Sequence, residues 1–144
     1  MKVRIKVSRM QPNARLPRYA HSGPFGDLAA DLYAAEAVSL AAGETEVVGT
    51  GLAFEFPPEF GALVQDRSGL ALQSISTLAG VIDPGYRGEL KVVVTNLGAK
   101  PFQINPGDRI AQLRIVRRIE AEFLEAESLA ETQRNVSGFG STGK

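Results

Sequence analysis

The sequence predicts an all-β fold, and three observations carry that expectation. Fifteen Gly and eight Pro recur along 144 residues and leave little uninterrupted length for helices. Aliphatic residues alternate with polar ones at a period of two in several short runs, as in half-buried strands. Those runs are bounded by breaker clusters such as Pro57-Pro58, Asn96-Leu97-Gly98 and Pro106-Gly107-Asp108. Breakers at such short spacing favour a sandwich, barrel or jelly roll over βαβ units. The length suits one domain with one core.

In chain order, Val3, Ile5 and Val7 alternate with Lys2, Arg4 and Lys6, which places aliphatics on one face of a first strand and cations on the other. Leu52, Phe54 and Phe56 repeat the pattern, as do Leu90, Val92 and Val94. Residues 62–64 and 110–116 are further β-rich runs. Two stretches are rich in Ala, Leu and Glu, for which helix propensity argues. Residues 27–37 are ambiguous between helix and strand, and residues 120–133 read as a short helix or a strand-to-helix junction. Residues 136–144 are too rich in Gly, Ser and Thr to pack as regular structure and read as a mobile tail.

Composition excludes several chemistries. Sixteen Lys and Arg balance sixteen Asp and Glu, so no general field attracts nucleic acid or an anionic membrane, and a bound anion needs a local pocket. With no Cys and only His21, thiolate zinc sites, Cys nucleophiles and multi-histidine centres are ruled out within one chain. No apolar run approaches the roughly 18 residues of a membrane helix, and the expectation is a cytoplasmic protein.

Three segments hold groups suited to a nucleotide. Asp66-Arg67-Ser68-Gly69-Leu70 offers a guanidinium, a hydroxyl and open backbone for a phosphate, although Arg67 equally suits an ion pair with Asp66. In the run from Gly80 to Glu89, Pro84-Gly85 fits a type II turn with Asp83 and Tyr86 at its ends. Asp83, after two β-branched residues, suits a general base tuned by burial or, alternatively, a turn cap. The segment from Gly138 to Lys144 has Walker A spacing, but no helix follows its Lys, so a P-loop is rejected. What survives there is a glycine-rich set of amides with Ser141, Thr142 and upstream Arg134, and Phe139 as a stacking ring. Asp108 reads as a turn residue, Gln112 as a ligand donor or ladder neighbour, and His21 as a solvated loop residue without a role.

Taken in order, these segments resemble the trimeric dUTPase family. Ala30-Asp31-Leu32-Tyr33-Ala34-Ala35 is similar to its first motif and Arg67-Ser68-Gly69-Leu70-Ala71 to its second. Gly80-Val81-Ile82-Asp83 through Tyr86-Arg87-Gly88-Glu89 is similar to the third, Gly107-Asp108-Arg109-Ile110-Ala111-Gln112-Leu113 to the fourth and the run from Arg134 to Gly143 to the fifth. The resemblance implies a jelly-roll-like, β-clip type domain over residues 1–133 and a tail over 134–144 that closes an active site shared by a homotrimer. It also implies hydrolysis of dUTP to dUMP and pyrophosphate, which limits uracil in DNA and supplies thymidylate synthesis.

By that resemblance Asp83 activates water for attack on the α-phosphorus, and Tyr86 packs under the deoxyribose. Arg67, Ser68, Gly69 and Gln112 bind phosphates, while Thr77, Gly80, Val81 and Ile82 form the uracil pocket. From the tail, Arg134, Gly138, Phe139, Gly140, Ser141 and Thr142 cover the substrate. Mg2+ rides on the phosphates without a direct protein ligand, with Asp31 acting through water. The chain departs from the family pattern at Thr77, where several bacterial members have Asn, at Asp66, often Pro, and at Ala29 and Ser137, often Gly. A dCTP deaminase, the nearest alternative, would need Glu where this chain has Val93.

Overall fold

Alternating side chains predict strands that bury one face, and the chain folds that way. In a computed structural model, which describes residues 1–140 and Gly143, ten strands and one helical turn follow one another. They are β1 (Lys6–Arg9), β2 (Ala30–Tyr33), β3 (Val38–Leu40), β4 (Thr45–Glu55), β5 (Phe60–Gln65), α1 (Ser68–Ala71), β6 (Ile75–Leu78), β7 (Val81–Ile82), β8 (Glu89–Asn96), β9 (Phe102–Ile104) and β10 (Arg109–Arg117). One antiparallel sheet has the order β1-β4-β8-β6, a second β2-β10-β5-β7, and β3 pairs with β9. Among the described residues no helix is long and apolar enough to cross a membrane.

The two large sheets share one core. Leu52, Phe54, Leu90, Val92 and Val94 come from the first, and Leu32, Val64, Ala111 and Leu113 from the second. Phe56, just past β4, stacks on Phe54 with ring centroids 5.7 Å apart. Alternation stops at the end of β8, where Thr95 and Asn96 are both buried. Each is satisfied: the Thr45 hydroxyl donates to Thr95 Oγ1 at 2.9 Å, and the Asn96 amide donates to the Leu40 and Lys100 carbonyls while its Oδ1 accepts from Gly98 N–H. The polar side chain of Asn96 thus builds the turn that its sequence neighbourhood predicts.

One ambiguity is resolved and two sequence expectations change. Residues 27–37, ambiguous between helix and strand, hold β2, because Ala30, Leu32 and Ala34 face the core while β10 supplies the ladder. Residues 120–133 form no helix. The last backbone tie to the domain is Arg118 N–H to the Glu59 carbonyl, and beyond it the segment lies exposed, with Phe123, Leu124 and Leu129 unburied. A short Ala/Glu helix needs packing to offset its nucleation cost, and its own chain provides none there. The first strand starts at Lys6 rather than Lys2, although Val3, Ile5 and Val7 remain the less exposed residues of that run.

Candidate functional site

The antiparallel register of the second sheet assembles a cluster of polar side chains. Gln112 of β10 lies opposite Asp31 of β2 on one side and Gln65 of β5 on the other. Because Leu32, Ala111, Leu113 and Val64 point into the core, these three point away from it. Asp66 and Arg67 follow the end of β5, and α1 begins at Ser68. Arg67 Nε donates to Asp31 Oδ1 at 3.2 Å, and Arg109 approaches Asp31 Oδ2 at 3.7 Å. The Asp31 side chain is only 15% exposed and Arg67 26%, so the cluster is partly desolvated.

One carboxylate between two guanidinium groups leaves an excess positive charge and fixes both cations in place. Around them opens a cleft of about 330 Å³ that Ser68, Gly69 and Gln112 also line. The first-turn amides of α1 have no acceptor within the helix and add donors beside it. Its guanidinium, hydroxyl and amide donors suit an anion.

A second cleft, of about 280 Å³, is lined by Gly80, Val81, Ile82, Asp83 and Tyr86 with Leu78 at its edge. It forms where the chain leaves β6 in one sheet for β7 in the other, turning through Ala79 at φ 58° and Gly80 at φ 106°. Gly80 is required there, since a Cβ would lie 2.6 Å from the Val64 carbonyl oxygen. Val64 N–H donates to the Gly80 carbonyl at 2.8 Å and holds the crossing against β5.

After β7 the backbone turns at Pro84-Gly85, with Tyr86 N–H donating to the Asp83 carbonyl at 3.2 Å. Gly85 lacks the positive φ of a type II turn, so the expected turn type is corrected while the turn itself is present. Tyr86 donates its hydroxyl to the Glu89 carbonyl at 2.7 Å, and Arg87 donates to the Pro84 carbonyl at 2.6 Å. Asp83 sits on this braced turn but is exposed, so the burial expected around it is not supplied by its own chain.

Thr77 has a different environment from the one its sequence position suggests. Its N–H and its hydroxyl both donate to Asp66 Oδ1 at 2.6 Å, and Ser76 donates its hydroxyl to Asp66 Oδ2 at 2.8 Å. Burial pushes the Asp66 carboxyl up, but the Thr77 and Ser76 donors outweigh it and hold the group below its ordinary value. Asp66 therefore pairs with β6 rather than with Arg67, which turns to Asp31.

Within the tail, Arg134 donates from Nε to the Ser137 carbonyl at 2.7 Å, and Phe139 is fully exposed at φ 49°. Gly138 and Gly140 flank that ring, with Gly140 at φ 82°, and line neither cleft. Ser141 and Thr142 lie outside the described residues. Of the expected site residues, Asp31, Arg67, Ser68, Gly69 and Gln112 line one cleft and residues 80–83 with Tyr86 the other, while Thr77, Arg134, Gly138, Phe139 and Gly140 line neither.

Sequence reasoning missed Arg109, which the β10 register brings to Asp31, and the loop at the mouth of the phosphate cleft. There His21 and Asp27 face each other, Nδ1 to Oδ1 at 3.2 Å, and His21 N–H donates to Asp27 Oδ2 at 2.7 Å. That backbone donor holds the Asp27 carboxyl below its usual value. The ladder pairing of β10 with β2 is what places Arg109 beside Asp31, and no local motif encodes it, whereas His21 and Asp27 meet within one loop.

Among the described residues no group of three or more His, Cys, Asp or Glu is arranged to hold a metal. Asp27 and Asp31 are the carboxylates that line the first cleft.

The fold and site define an antiparallel β domain with a guanidinium-lined cleft suited to an anion and a separate pocket at a turn. The comparisons make that class specific. The dUTPase family model matches residues 18–143. A deoxyuridine 5'-triphosphate nucleotidohydrolase of Solibacter usitatus is 47% identical, with 99% of this chain and 98% of the relative covered. Its counterpart in Thermobifida fusca is 45% identical over 98% of this chain and 79% of its own length. Among solved structures, the Staphylococcus bacteriophage 80alpha dUTPase with dUPNHPP superposes with a TM-score of 0.88 at 27% identity, covering 98% and 99% of the two chains. A variant of the dUTPase of S. aureus phage phi11, described with a structural Mg(II) ion, gives 0.80 at 26% identity over 89% of this chain and 99% of that one. The chain belongs to the dUTPase family, and its enzyme class is that of a dUTP diphosphatase, a hydrolase.

Proposed function

We propose that the protein hydrolyses dUTP to dUMP and pyrophosphate at sites assembled from three copies of the chain. The observation that carries this reading is the separation of the two clefts, which share none of their lining residues among those described. A triphosphate held by Arg67, Arg109, Ser68, Gly69 and Gln112 of one copy then presents its nucleoside to the Gly80 to Asp83 pocket of another. The exposed Phe139 of a third copy covers the base, and Arg134 with Ser141 and Thr142 reaches the phosphates. Asp31 holds the two guanidinium groups and faces the triphosphate through water.

Asp83 takes a proton from a water whose oxygen attacks the α-phosphorus, and the bond from that phosphorus to the bridging oxygen of the leaving pyrophosphate breaks. Guanidinium and backbone donors neutralise the charge that develops on the phosphate oxygens. Mg2+ brought by the triphosphate adds neutralisation of the same oxygens when bound. Backbone groups of residues 78–81 read the uracil edge, because the Thr77 hydroxyl proton is already donated to Asp66. The Tyr86 ring, fixed by its bond to the Glu89 carbonyl, packs against the deoxyribose and leaves no room for a 2′-hydroxyl.

The test is pyrophosphate release from dUTP with Mg2+, run beside dCTP, dTTP and UTP. The expected result is turnover of dUTP alone, lost in Asp83→Asn. Mixed refolding of Arg67→Ala with Asp83→Asn chains restores part of the activity if each site takes its two clefts from different copies. Failure of the mixture to recover any activity overturns the shared site, and ammonia release from dCTP overturns the reaction.

A further inference from the structure

The second cleft forms where the chain crosses from β6 of the first sheet to β7 of the second, so something must hold that crossing in place. One residue, Asp66, is bonded beside each cleft. Asp66 stands between the end of β5 and Arg67, and its backbone carbonyl accepts from Gln112 Nε2 at 2.7 Å. That bond orients the Gln112 amide at the phosphate cleft. Its side chain reaches the other way, to β6 at the edge of the first sheet, and accepts from Ser76 and from both the N–H and the hydroxyl of Thr77. Leu78 follows Thr77 directly and begins the turn that lines the second cleft.

We propose that Asp66 is a positioning residue for base recognition: its carboxylate clamps Thr77 and so fixes the backbone of residues 78–81 at the second cleft. This deepens the dUTP reading and rests on it. The clamp acts on an edge strand, whose outward N–H groups otherwise have only water or another chain to satisfy them. It also consumes the one proton of the Thr77 hydroxyl, so that residue serves the pocket by holding its backbone rather than by touching the base. A pocket that distinguishes uracil by backbone donors and acceptors depends on where that backbone stands, and a shift of a fraction of an ångström degrades every contact at once.

The prediction separates base recognition from phosphate binding. Asp66→Ala removes all three side-chain bonds but keeps the carbonyl that holds Gln112. Asp66→Asn keeps an oxygen for Thr77 and loses the acceptor for Ser76. The KM for dUTP should rise on the order of tenfold in Asp66→Ala and less in Asp66→Asn, with kcat changing by no more than about twofold. Discrimination of dUTP over dCTP should fall in the same order. Inhibition by inorganic tripolyphosphate, which carries no base, should keep its wild-type constant.

Thr77→Val removes only the hydroxyl and leaves Asp66 in place, so it keeps the test open if Asp66→Ala does not fold. In the double variant Asp66→Asn/Thr77→Val the two KM effects should be less than additive. Wild-type KM and discrimination in Thr77→Val and Asp66→Asn, or tripolyphosphate inhibition weakened as much as dUTP binding, overturns the clamp. Wild-type protein that does not turn over dUTP at all overturns the dUTP reading first, a result distinct from either.

Discussion

Replacing Gly80 by Ala tests the geometry of the second cleft most directly. At φ 106° an L-residue is strained by roughly 1–3 kcal/mol. The added Cβ would also lie 2.6 Å from the Val64 carbonyl oxygen and 3.1 Å from Val64 Cβ, both of them parts of β5 that cannot swing aside. Relief requires the crossing to move off β5, which breaks the 2.8 Å bond from Val64 N–H to the Gly80 carbonyl and costs about 1 kcal/mol more. The sum is a loss of about 2–4 kcal/mol. With a urea slope of about 2 kcal/mol per M, the unfolding midpoint falls by about 1–2 M at fixed protein concentration. Gly85→Ala is the control, because a Cβ there meets nothing within 4 Å in its own chain and φ is not positive. Equal urea midpoints for Gly80→Ala and wild type, or equal losses at Gly80 and Gly85, would refute the close approach as the reason for glycine.

Arg67→Lys keeps the charge but loses the planar fork that serves Asp31 and phosphate together, so kcat/KM for dUTP should drop by about 10–100-fold, and an unchanged value would count against the phosphate cleft. Asp66, held below the usual carboxyl value of 3.8, contributes stability that is present above that pH and is lost as pH falls through its folded value. Acid unfolding of Asp66→Asn should therefore be less steep than that of the wild type below about pH 4, read by circular dichroism across a pH series. Leu90→Ala, at 1% exposure in the middle of β8, should destabilise by about 2–5 kcal/mol in equilibrium unfolding, and a loss below about 1 kcal/mol would mean that the shared core is looser than its burial indicates.

Much of the fold was legible because strand periodicity is a local signal. Leu52, Phe54 and Phe56, or Leu90, Val92 and Val94, recur at every second position, and burying one face of a pleated strand needs nothing beyond that period. Residues 27–37 and 120–133 were not legible in the same way. Their Ala and Glu content favours a helix weakly, and whether it forms depends on a surface elsewhere in the chain. At 27–37 that surface is the β10 ladder, which draws Ala30–Tyr33 into a strand. At 120–133 none of the described residues offers a surface to pack against, and the segment is exposed.

The sequence by itself determined that this is a short β-rich domain without thiol or multi-histidine chemistry, and it carries the ordered motifs of a dUTPase. Residue identity and spacing along the chain are enough for that, since motifs and strand patterns are read within a few residues. Only the tertiary structure decided that Arg109 joins Arg67 on Asp31, that Thr77 and Ser76 are bound to Asp66, and that the two clefts stand apart in a single chain. Each of these follows from strand register and from the crossing between sheets. They bring together residues from 10 or 11 positions apart, as at Asp66, to 36 or more, as at Asp31, and no local spacing records such contacts.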